Sequence, residues 1–237
     1  MTARRSELFN AFGRLFQYPG DGYVENAGRL AGLLHAENSR AAQAMNDFSR
    51  YVESQPLYDL EEAYTRAFDL NPTCSLEIGW HLFGEEYVRG LFMVRMRNEM
   101  RERGLEETGE LPDHVVHVLA VLAAMNPDPA RELARACVCP AVGKMLAAFD
   151  KPPREQNAAA AADEPFRPLV AALAEVLLEE FDLPRTALEA REENEMIRNG
   201  ADPLHCSPCG SSGCGGAQMV PLRVGPLGDD ASSLDEE

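Results

Sequence analysis

Along most of the chain apolar residues recur every three or four positions, the spacing of one helix face, and the alternation that marks a strand is nearly absent. The first such set is Leu8, Phe9, Phe12, Leu15 and Phe16, with Asn10, Arg14 and Gln17 between them. Tyr18-Pro19-Gly20-Asp21-Gly22 then reads as a turn, because proline cannot continue a helix and glycine tolerates positive φ. Further helices are predicted over 23–34, 39–52 and 57–67, with Pro56 between the last two. Asp69-Leu70-Asn71-Pro72-Thr73 breaks the pattern into a loop, since the residue before a proline is pushed out of the α region.

A long helix over 85–103 carries Tyr87, Leu91 and Val94 on one face and ends at Gly104. Pro112 opens the next helix as its first-turn residue, which puts Asp113 in that first turn. Val115, Val116, Val118, Leu119, Val121 and Leu122 make this helix apolar almost all round, as expected of a central one. Two helices over 130–137 and 141–149 are separated at Pro140, and 151–165 reads as a long loop. A last strong helix covers 166–181, with a charged helical stretch continuing to about Arg198. From Gly200 onward Gly, Pro, Ser and Cys dominate, and the chain closes on the acidic run from Asp229 to Glu237. Such a composition buries too little apolar surface to order itself. The expected organisation is therefore an all-α helical domain over 1–199 and a flexible Gly/Cys-rich tail over 200–237.

Charge narrows the partners. Thirty-nine acidic against 22 basic residues give a formal charge of -17, which opposes nucleic-acid phosphates and anionic membranes and favours basic partners. No run of about 18 apolar residues occurs, so no direct membrane insertion is expected. Arg4-Arg5 has the look of an export signal, but neither the apolar stretch nor the small-residue cleavage site follows. A cytoplasmic chain is expected, with its six cysteines as thiols or ligands.

Three constellations could carry chemistry. Between Cys74 and Tyr87, Ile78, Trp80, Leu82 and Phe83 sit beside Gly79 and Gly84, which fits either plain core packing or the wall of a groove. In Glu110-Leu111-Pro112-Asp113-His114-Val115-Val116-His117, the two histidines invite a metal site, yet the pattern supplies no third ligand; the polar rim of a peptide groove suits these residues better. In the tail, His205, Cys206, Cys209 and Cys214 could hold a soft metal ion, act as redox-sensitive thiols, or do neither. No nucleophile in a recognisable turn, phosphate loop or carboxylate pair stands out, which argues against an enzyme.

Three motifs in order, Tyr64 to Pro72, Gly79 to Gly90 and Glu110 to His114, together resemble the nitrate reductase delta subunit (NarJ) family of molybdenum-enzyme assembly chaperones, akin to the TorD and DmsD types. The resemblance covers roughly residues 5 to 185 and implies a TorD-like helical domain that is no part of the finished enzyme. It implies a partner as well, the apo catalytic subunit of a molybdenum oxidoreductase, foremost the respiratory nitrate reductase alpha subunit, held by its basic N-terminal leader until the molybdenum cofactor is inserted and membrane docking can follow. Other enzymes of the dimethyl sulfoxide reductase family are alternative clients, cofactor-delivery proteins are further partners, and the chaperone needs no cofactor of its own. The leader-binding residues carried over are Trp80, Leu82, Phe83, Tyr87, Pro112, Asp113 and His114, with Asp113 and His114 expected near the groove surface and Asp113, Glu110 and Glu85 facing the leader's positive charges. The resemblance does not extend to the tail, where a metal or redox sensor remains an alternative role.

Overall fold

A computed structural model describes residues 3–35, 39–150 and 164–189 of the chain. Ten α-helices are described: α1 (Ala3–Leu15), α2 (Tyr23–His35), α3 (Arg40–Ser54), α4 (Leu57–Tyr64), α5 (Ile78–Phe83), α6 (Tyr87–Glu102), α7 (Val115–Ala124), α8 (Pro127–Leu133), α9 (Cys139–Phe149) and α10 (Arg167–Glu180). The fold is all-α, and the described residues contain an isolated bridge but no strand.

The helical period explains the packing. Leu8, Phe9, Phe12 and Leu15 of α1 are almost wholly buried, and α1 lies against α7, whose Val118, Leu119, Val121 and Leu122 have no exposed surface. The nearly uniform apolarity of α7 thus marks a helix enclosed by its neighbours, as expected. Beyond this pair α2 packs on α1 and α3, α3 on α10, and α10 on α9. Ser39 caps α3 by accepting the Ala42 N–H at 3.2 Å. Phe16, Phe48, Phe68, Phe149, Phe166 and Tyr64 meet where these helices converge, with Phe68 5.2 Å from Phe166 and 5.1 Å from Tyr64, ring centroid to centroid.

Several boundaries differ from the periodicity reading. The helix expected over 57–67 changes register at Tyr64 into a wider turn, Thr65–Asp69, closed by the Leu70 N–H on the Thr65 carbonyl at 2.9 Å. Asn71 then accepts from the Thr73 backbone and hydroxyl, starting a short 3₁₀ turn at Pro72. Pro140 does not separate two helices: a wide turn over Ala134–Val138 absorbs the clash and missing N–H of a proline, and α9 runs on from Cys139. After α10, the chain turns at Asp182 (φ 47°) and forms only the short turn Arg185–Leu188 instead of a continuing helix. Of the loop expected over 151–165, residues 151–163 lie outside the described residues. So do 190–198 and the whole tail, including His205, Cys206, Cys209 and Cys214.

Candidate functional site

The second and third motifs are joined by backbone. After the Pro72–Cys74 turn the chain runs extended, and Glu77 pairs with His114 in an isolated antiparallel bridge. The Ile78 N–H donates to the Asp113 carbonyl and the Val115 N–H to that of Leu76, both at 2.8 Å. This pairing delays α7 to Val115: Pro112 and Asp113 precede the helix, and the His114 Nδ1 caps it by accepting the Val116 N–H at 3.3 Å. The expectation that Pro112 and Asp113 occupy the first helical turn is therefore corrected.

Around this junction lies a groove of ≈ 590 Å³. Its apolar lining includes Tyr18, Tyr64, Phe68 and Trp80, while Asp69, Glu77 and Glu110 bring three carboxylates from three separate segments. Trp80 is held by its indole N–H on the Pro72 carbonyl at 3.0 Å and by the Arg89 guanidinium 5.7 Å from its ring centroid. Arg89 Nε also donates to Asp113 Oδ2 at 2.9 Å. Asp113 is fully buried, and its Oδ1 has no hydrogen-bond partner among the described residues. Gly79 makes room for this pair, since a Cβ there would stand 2.6 Å from Asp113 Oδ2.

Of the seven residues carried over by resemblance, Trp80 and His114 line the groove. Leu82 and Phe83 are half-buried against the core, Tyr87 is 79% exposed on α6, and Pro112 and Asp113 are buried. Asp113 thus lies beneath the surface while His114, though nearly buried, borders the groove, and the charge that reaches Asp113 is Arg89 of the same chain. Glu110 lines the groove as expected of an acidic contact, whereas Glu85 is exposed outside it. Asp69, Glu77, Tyr18, Tyr64 and Arg89 were missed as site residues, although Asp69, Tyr64 and Arg89 fall inside the motifs that carry the resemblance.

The carboxylates shape the titration of the groove. Partial desolvation of the otherwise exposed Asp69 carboxyl raises it above its ordinary range, the Thr65 hydroxyl bond opposes this, and Glu110 and Glu77 push it further up. Burial lowers His114 below its ordinary 6.5, with Glu110 and Glu77 opposing the shift. A base whose folded value is depressed leaves the unfolded chain binding more protons at mildly acid pH, so its contribution is complete above 6.5 and lost as pH falls below that value. Melting temperature should accordingly fall from pH 7.5 toward pH 5, and less steeply in His114→Asn, which retains a capping side chain. An unchanged slope would contradict this assignment.

His114 and His117 are not arranged as a metal centre among the described residues. His117 Nε2 accepts the Thr108 N–H at 3.1 Å and its Nδ1 lies 2.8 Å from the Leu111 carbonyl, so both ring nitrogens are engaged within the chain. Among the described residues no group of three His, Cys, Asp or Glu could hold a metal ion.

The chain matches the nitrate reductase delta subunit family over residues 34–151, a span that holds all three motifs and the greater part of the groove. It belongs to that family. Members of the nitrate reductase delta subunit family are assembly chaperones of molybdenum enzymes and work with their catalytic subunits. A comparison with curated proteins finds no match. No described helix is long and apolar enough to cross a membrane.

Proposed function

We propose that this chain is a cytoplasmic maturation chaperone that binds the basic, amphipathic N-terminal leader of an apo molybdopterin catalytic subunit, foremost the respiratory nitrate reductase alpha subunit. It holds the apoenzyme until the cofactor is inserted and so delays membrane docking. The observation that supports this is the groove itself, in which an aromatic wall stands beside the carboxylates of Asp69, Glu77 and Glu110. An amphipathic helix recognised by such a surface places its apolar side chains on the aromatic rings and its cations against the acids. Chaperoning needs no bond-breaking step.

Trp80 is the only tryptophan of the chain, so its fluorescence reports on this groove alone. Titration with the leader peptide of the nitrate reductase catalytic subunit should shift Trp80 emission to shorter wavelength, whereas a peptide with its apolar residues changed to serine should leave it unmoved. Saturable binding without any change in Trp80 emission would place the leader elsewhere.

A further inference from the structure

The long helix α6 has two apolar faces, and among the described residues only one is covered. Phe92, Met96 and Met100 are buried inward, while α6 packs on α5 and α7. On the other side, Tyr87 is 79% exposed, Leu91 52% and Val94 54%, continued by exposed Asn98 and Arg101. The steps between these five residues are four, three, four and three, the a/d spacing of a two-heptad coiled-coil seam. None of the five lines the groove.

We propose that this seam is an interaction surface for a second copy of the chain, with the two α6 helices paired antiparallel. Either direction sets apolar on apolar residues, and the charges at the ends select the antiparallel one. In an antiparallel pair centred between Leu91 and Val94, Leu91 of each copy packs on Val94 of the other, and Tyr87 meets Asn98, whose amide can bond the phenol hydroxyl. Arg101 at one end then falls beside Gly84, Glu85 and Glu86 at the other, and both glutamates are exposed. A parallel pair would instead stack Arg101 on Arg101. The two-fold arrangement uses one patch on both subunits, as closed symmetric dimers require. Asn98 at an a position marks the register: its Oδ1 accepts from Arg101 at 3.1 Å within the helix, and in the matched pairing its amide N–H groups face the Tyr87 hydroxyl of the other copy. Two heptads make a small contact, at the weak end of specific interfaces (below about 1,200 Å²), so the dimer is concentration-dependent.

Sedimentation velocity of the full chain from about 5 to 500 µM at physiological salt tests this, the upper end matching the affinity of a small interface. The sedimentation coefficient should rise toward that of a dimer. Leu91→Glu should keep the helical circular dichroism and the leader affinity but weaken association by at least about tenfold, one decade of the dissociation constant. Arg101→Glu should weaken it similarly, and Glu85→Arg/Glu86→Arg/Arg101→Glu should restore it to within a few-fold. A chain that stays monomeric throughout overturns the proposal, and so does a dimer that Leu91→Glu leaves intact. Strengthening by Arg101→Glu overturns the antiparallel pairing. A monomer whose Leu91→Glu variant loses a client helix would assign the seam to the client, which also overturns it.

Discussion

Arg89→Met should destabilise the chain by about 3–5 kcal/mol, the usual cost of leaving a buried charge without its partner, and Asp113→Asn should cost distinctly less. The two halves of this pair differ in what they can do alone. Asp113 has no exposed surface, and among the described residues Arg89 is the one cation bonded to it, so removing the guanidinium strands a carboxylate in the interior. Arg89 retains 19% exposure and borders the groove, so it can turn toward water when its partner becomes neutral, and an asparagine oxygen can still accept from Nε. The double variant Arg89→Met/Asp113→Asn should recover part of the loss, because it leaves no buried charge. Urea denaturation of the four proteins decides the matter. A larger cost for Asp113→Asn than for Arg89→Met would contradict the account of this pair.

The second large effect concerns the groove. Asp69→Asn/Glu77→Gln/Glu110→Gln keeps side-chain size and removes three negative charges that face one space. Asp69 and Glu110 are exposed and Glu77 half-buried, so each carboxylate is worth about 0.5–1 kcal/mol to a cationic ligand, and the three together about a tenfold to hundredfold loss of affinity. The loss should appear chiefly in the association rate and shrink as salt is added, since opposite charges steer encounter and salt screens them. Stability should not fall, because relieving repulsion among the three acids offsets lost local hydrogen bonds such as that from the Thr65 hydroxyl to Asp69.

Helical periodicity read the fold well where a helix buries one stripe and ends at a glycine or proline. α2, α3, α6 and α10 stand within about two residues of expectation, and Gly104, with φ 64°, follows the end of α6 as read. It failed where a distant segment claims the backbone. Nothing near Pro112 announces that the carbonyl of Asp113 will bond the Ile78 N–H, yet that bond moves the start of α7. Asp113 illustrates the same limit for the site. An aspartate beside a histidine at a helix start looks like a polar rim, and only the approach of Gly79 and Arg89 buries it. The acidic surplus pointed to a basic partner, but which of 39 acidic side chains converge depends on three segments meeting at a bridge. Tyr18 carried no signal at all: it joins the groove because its ring packs 5.5 Å from that of Tyr64. Tyr87 was carried over by resemblance, and its place at the start of α6, after the turn at Gly84 (φ 58°), leaves it outside the groove lining.

The claim at the centre of this account is that the groove beside the Glu77–His114 bridge receives a basic leader. Isothermal titration of the leader peptide into the wild-type chain and into Asp69→Asn/Glu77→Gln/Glu110→Gln, at low and at high salt, tests it most directly. The account predicts saturable one-to-one binding to the wild type, a loss of about tenfold to a hundredfold in the variant at low salt, and convergence of the two affinities at high salt. Equal affinities at low salt would contradict it.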